Sequence, residues 1–222
     1  ALTENRVLNC GYQQVPSIGI GASLQIGELC VESCEVMNTG VSPDNTTVSS
    51  LSWGIVADLI LEARVQSNLV TYANAALLDA NQEHRALWMR GWWEQVITLG
   101  AGQVIFGFSA QILDNKFLGP GRSALIEIAQ QSVSDNLFRR FERLFFSNNF
   151  CWHASVAAQG TATVSLAGRS AIVMGNHIKT NVPIPSVDFH GMKDAVYMGN
   201  LAQANPVNFG GIPSPISGFN KP

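Results

Sequence analysis

Hydrophobic residues recur along this chain at two spacings, and the change from one to the other divides it. Ile18, Ile20, Ala22, Leu24 and Ile26 alternate with Gly, Ser and Gln, the period-two pattern of a strand with one buried face. The interleaved Gly19, Gly21 and Gly27 weaken that strand and mark close backbone approach. Ser42-Pro43-Asp44-Asn45 reads as a turn, and Asn45-Thr46-Thr47 matches a glycosylation sequon. From Ser50 or Ser52, either a fitting N-cap, the apolar positions Val56, Leu59, Ile60, Ala63, Val70, Ala73 and Leu77 follow helical spacing to about Ala80. A break at Asp79-Ala80-Asn81 leads into a second run opening at Glu83, with Leu87, Trp88 and Trp92 on one side. Two long helices joined this closely pack as an antiparallel hairpin.

The second run continues from Val96 to Leu113 without a charged residue, which is long enough to cross a bilayer. Gln103 and Gln111 and the glycines Gly100, Gly102 and Gly107 lower its hydrophobicity and helix propensity and favour burial in a protein core. A third amphipathic helix is expected over about 122–147, carrying Leu125, Ile128, Val133, Leu137, Phe138, Phe141, Leu144 and Phe145, after a Gly119-Pro120-Gly121 stop. Beyond Phe150 the period returns to two, and a strand hairpin is expected with its turn at Gly168. The expected fold class is therefore α+β. It consists of a helical hairpin plus a third helix, short strands towards both ends, and an extended arm from residue 181 that holds six of the nine prolines. The division is a mixed domain over 1–180 and the arm over 181–222.

Composition makes this picture sharper. Charged residues form 13% of the 222, against roughly 25% in ordinary soluble domains, and mean hydropathy is +0.14. So little charge argues that neighbouring subunits or lipid cover part of the surface. The net charge of −3 offers no general attraction to nucleic acid. The arm carries Phe189, Phe209 and Phe219, apolar anchors suited to docking along a surface.

No catalytic motif stands out. His84, His153, His177 and His190 are scattered, and Cys151 with His153 lacks a recognisable third group for thiol catalysis. Cys10, Cys30, Cys34 and Cys151 fit either two disulfides or buried thiols. Trp88, Trp92, Trp93 and Phe106 are interface or core anchors, and Arg139, Arg140 and Arg143 form the densest basic cluster, a solvated helix face or a contact for phosphate or an acidic partner. No catalytic, metal or cofactor site is indicated, and no small-molecule substrate. The expectation is a non-enzymatic structural subunit of a large assembly, such as a virion shell, filament or secretion machine, with copies of itself or other subunits as partners. An extracellular, envelope or virion setting is favoured. A membrane protein spanning near 96–113 and a small Cys/His enzyme are the alternatives.

Overall fold

A computed structural model describes residues 1–10, 16–41, 51–72, 83–92, 95–99, 102–106, 108–119, 124–134, 137–154, 162–181, 184–203, 207–213 and 215–218. Among them there are strands and no helices. The strands, numbered in chain order, form three parallel ladders. The first runs through β1 (Leu2–Thr3), the second half of β3 (Ser17–Glu32), the second half of β5 (Leu51–Gln66), β10 (Ser109–Leu113), β15 (Phe141–Ser147), the second half of β17 (Val164–Met174), β20 (Asp194–Met198) and β22 (Ile216–Gly218). The second joins β2 (Arg6–Leu8), β4 (Glu35–Met37), β6 (Leu69–Thr71), β11 (Lys116–Gly119), β16 (Phe150–His153), β18 (His177–Thr180) and β21 (Leu201–Gln203). The third joins the first halves of β3 and β5, β7 (Glu83–Gly91), β12 (Ile126–Ala129), the first half of β17 and β19 (Val187–His190). Two antiparallel hairpins stand apart, β8 (Gln95–Leu99) with β9 (Gly102–Phe106) and β13 (Gln131–Ser134) with β14 (Leu137–Arg139).

Hydrogen bonding closes on itself through six parallel strands, β5-β10-β15-β17-β12-β7 and back to β5. The closure has a local cause. Residues 51–60 of β5 pair with β7 in the third sheet, whereas 63–66 pair with β10 in the first, so one strand turns a corner and belongs to two sheets. Leu59, at φ 55°, makes that corner. β17 does the same, its early residues pairing with β12 and its later ones with β15. Successive passes of the chain therefore stack as coils of a parallel β-helix, about 4.8 Å apart.

Inside, each sheet presents one row of like side chains per inward position. Val31, Val65, Ile112, Phe146, Val173 and Tyr197 are register partners on consecutive coils, as are Ile20, Ile55, Leu87, Ile126, Val164 and Val187, and all twelve are buried. Such stacks cover apolar surface at every coil, with buried area stabilising by roughly 25 cal/mol per Å².

The corner between the first and second sheets is polar. Glu4, Ser33, Ser67, Asp114, Asn148, Gly175 and Gly199 all adopt left-handed backbone there, φ between 54° and 65°, which costs a non-glycine residue about 1 kcal/mol. The last five of these are followed by Asn68, Asn115, Asn149, Asn176 and Asn200, each buried. Each of these carboxamides donates through Nδ2 to a carbonyl of the preceding coil, as Asn149 does to Ile112 O at 2.9 Å. From Asn68 to Asn176, Nδ2 also donates to the Oδ1 of the next asparagine, at 2.9, 3.0, 3.0 and 2.9 Å. Each Oδ1 in turn accepts a backbone N–H from the coil before it. The bend thus finds a partner for polar groups that would otherwise be buried without one.

The expected α+β class is corrected: the proposed helical hairpin and third helix are strands. The helical spacing has a physical origin. Ala57, Ile60 and Ala63 are buried three residues apart because the Leu59 corner resets the strand's alternation. Phe141 and Leu144 are likewise spaced because Glu142 N and Arg143 N both donate to Phe108 O, at 2.7 and 3.2 Å, a bulge that shifts the phase. The proposed span over 96–113 divides among β8, β9 and β10. No helix among the described residues is long and apolar enough to cross a membrane, which removes the basis for the membrane reading drawn from that stretch. The arm is corrected too. β19, β20, β21 and β22 continue the stack, and Pro185, Pro213 and Pro215 lie between strands, where no ladder N–H is required. The expected hairpin at Gly168 is instead the corner of one continuous strand, β17. The Ser42–Asn45 turn and the sequon at Asn45 lie outside the described residues.

Asn149→Ala is expected to lower unfolding free energy by about 2–4 kcal/mol in urea titration, because Asn115 Nδ2, Asn115 N and Ile112 O each lose a bond. At the ladder's head, Cys34 N already donates to Asn68 Oδ1 and Cys34 Sγ sits 3.5 Å from Leu2 O, the carbonyl an asparagine there would reach. Cys34→Asn should raise stability by about 1 kcal/mol in the same titration.

Candidate binding face

Sequence-selected residues land in quite different places. All four cysteines are free thiols; Cys34 and Cys151 are buried and Cys10 and Cys30 half-buried. Cys151 is packed in the second sheet's inner row between Phe117 and Ile178, and burial pushes its thiol well above the ordinary value. It is held as a thiol and is shielded from solvent, so it has no nucleophile's setting. Phe189 is core, stacked on the half-buried Phe209 at 5.5 Å between ring centroids. Trp92 is half-buried at the end of β7, where its backbone N–H reaches Ile60 O. Arg139 ends β14, Arg140 is half-buried beside it, and Arg143 is exposed on β15. The cluster is therefore spread over a hairpin and a coil rather than along one helix face. Phe106 lies in β9; Trp93 and Phe219 lie outside the described residues.

Among the described residues of that set, Trp88 lies on a surface lined by further aromatic and charged groups. Trp53, Val56 and Asp58 of β5 and Glu83, Arg85, Trp88 and Arg90 of β7 are the part-exposed positions of the third sheet, the alternation slipping by one at Gly54–Ile55 and at Ala86–Leu87, whose two N–H groups both donate to Leu125 O. Register then aligns the next coils. Val56, Trp88, Glu127, Ser165 and Asp188 are register partners in one row, part-exposed as far as Glu127 and buried at Ser165 and Asp188. Between the two indoles lies an open depression of about 200 Å³ lined by Ile18, Trp53, Val56, Asp58 and Trp88. At about 30 Å³ per water it holds roughly six waters, the scale of one sugar-sized unit.

Charged groups frame this depression. Arg90 clamps Asp58 through two bonds, Nε to Oδ1 at 2.7 Å and Nη2 to Oδ2 at 2.9 Å, and Nη1 donates to Gln131 Oε1 at 2.6 Å. Its guanidinium stands 5.5 Å from the Trp88 ring centroid, holding that indole in place. Arg85 donates to Glu83 at 3.1 Å, and its Nε lies 2.6 Å from Glu127 Oε2, an ion pair whose N–H points off the carboxylate. Two coils beyond Glu127, His190 Nε2 meets Asp188 Oδ2 at 2.8 Å; Asp188 is almost fully buried, and its Oδ1 has no hydrogen-bond partner. Asp58, Glu127, Asp188 and Trp53 were not singled out from sequence. The signal was there in the alternation of Val56 and Asp58 against Ile55 and Ala57, obscured by the slip before it and the corner that follows.

Behind this sheet, in the interior, sits a second polar group. Ser52 Oγ and His84 Nδ1 are 2.8 Å apart, the Tyr72 ring packs edge-on to His84 at 4.8 Å, and His84 Nε2 is buried without a hydrogen-bond partner. A Cβ at Gly119 would sit 3.0 Å from that imidazole, a contact tight enough that the ring would have to give by a few tenths of an ångström. Burial, aided by the nearby His153, pushes the His84 pKa down to about 3. Burial likewise raises the Tyr72 phenol above its usual range. These groups are buried and burial favours their neutral forms.

Comparison with protein families, with curated proteins and with solved structures returns no match.

The unfolded chain protonates His84 near 6.5 and the folded one only near 3. Its contribution to stability is therefore complete above about pH 6.5 and is lost as pH falls from there towards 3, by up to about 1.4 kcal/mol per pH unit. Urea midpoints measured at pH 7 and pH 5 should show this decline, and His84→Gln should reduce it.

Proposed function

We propose that the outer face of the third sheet binds an extended glycan, with Trp53 and Trp88 as its platform. The carrying observation is the pair of half-buried indoles flanking a sugar-sized depression, one of them fixed by Arg90, on a sheet of stacked parallel strands. An indole face is the negative end of a quadrupole and attracts the positively polarised C–H groups that a pyranose ring presents. Flanking carboxylates accept hydroxyl protons and set orientation, the usual division of labour in a mostly apolar site with a few polar groups. Stacked coils supply equivalent positions every ~4.8 Å, which suits a polymer better than a compact ligand.

A second reading, a subunit of a homo-oligomeric assembly, is supported by a different surface and by the low charge. Outward rows of the second sheet carry Leu8, Leu118, Phe150, Trp152 and Leu201, with Leu8 and Leu201 exposed. A second copy covering these rows would make them an interface. Light scattering after size exclusion checks it: a strict monomer at about 24 kDa counts against this reading and leaves the first untouched.

Trp53→Ala and Trp88→Ala should each weaken retention in affinity electrophoresis by about tenfold or more, ~1.4 kcal/mol, with unchanged circular dichroism. Retention of no polysaccharide by the parent chain, or full retention by both variants, sinks the glycan reading.

A further inference from the structure

Resting on the glycan reading, we infer that this face selects glycan chains without negative charge and turns away uronate-, sulfate- or phosphate-bearing polymers. The argument is one of charge accounting. Among the described residues the outer face carries three part-exposed carboxylates, Asp58, Glu83 and Glu127, against two guanidiniums, Arg85 and Arg90, and beside them the buried Asp188 paired with His190. Both guanidiniums are already engaged, Arg90 in a two-bond clamp on Asp58 and Arg85 between Glu83 and Glu127. Recognition of an anionic group usually relies on such planar forks, and releasing either one here would leave a half-buried carboxylate unpaired.

His190, exposed at the end of β19, does not reverse this balance, because its Nε2 is held by Asp188 Oδ2 at 2.8 Å. Asp188 is itself buried, so the charge that a ligand meets comes from Asp58, Glu83 and Glu127 against the two engaged guanidiniums.

Isothermal titration of the intact chain at 20 and 500 mM NaCl tests this, with xylan and mixed-linkage glucan oligomers as neutral probes, chitosan oligomers as cationic ones, and polygalacturonate oligomers and poly(U) as anionic ones. Neutral and chitosan oligomers should bind, with polygalacturonate at least tenfold weaker at low salt and the gap narrowing at high salt. Glu127→Gln, which releases Arg85 from one partner, should raise the ratio of polygalacturonate affinity to neutral-oligomer affinity severalfold. Polygalacturonate binding as tightly as the neutral probes, or an unchanged preference in Glu127→Gln, overturns the inference and leaves the glycan reading standing. Binding of poly(U) alone, or of no probe at all, overturns both.

Discussion

A chain that turns three corners per coil must bury its bends against the coils above and below, and every bend carries backbone groups that need partners. In this protein the column of carboxamides from Asn68 to Asn200 meets that need. Each side chain binds the carbonyl before it and, within the column, the amide after it, so the bend of one coil is completed by the next. Left-handed geometry at the residue before each asparagine is tolerated because these bonds, several per bend, outweigh its roughly 1 kcal/mol cost. Coil register follows from this column, and with it the alignment of all three sheets.

Register is also what creates the candidate site. Trp88, Glu127, Ser165 and Asp188 are separated by 39, 38 and 23 residues in sequence yet share one row because the asparagine corner brings every coil back to the same phase. The face is therefore a property of the stack rather than of any segment. Its chemistry is divided along the row, apolar near Trp53 and Trp88 and acidic towards Asp188.

Some of this was legible in the sequence. The strand at Ile18–Ile26 and the strand character beyond Phe150 were readable. The helices were not real because corners and a bulge slip the alternation by one residue, and a slipped period of two imitates a period of 3.6 over short windows, as at Ala57, Ile60 and Ala63. Enrichment in Val, Ile, Phe and Trp across 51–72 and 137–154 spoke for strands all along. The decisive repeat was also present: VQSNLV, ILDNKF, FSNNFC, VMGNHI and YMGNLA share an asparagine after a bend residue. Its spacing of 47, 34, 27 and 24 residues is too irregular for a fixed-period search to find. Asp188 and His190 were read as part of a loose arm, since their pairing partners lie on other coils.

The shortening of successive coils along the asparagine column has a kinetic side. Closing a 24-residue loop costs less chain entropy than closing a 47-residue one, though the difference is only about 0.6 kcal/mol per doubling. The compact coils between Asn149 and Asn200 also lack the inserted hairpins β8–β9 and β13–β14. Nucleation is thus cheapest at that end. A formed coil there offers its neighbour a finished row of backbone donors and acceptors and one waiting carboxamide, so growth would zip towards the N-terminus one turn at a time.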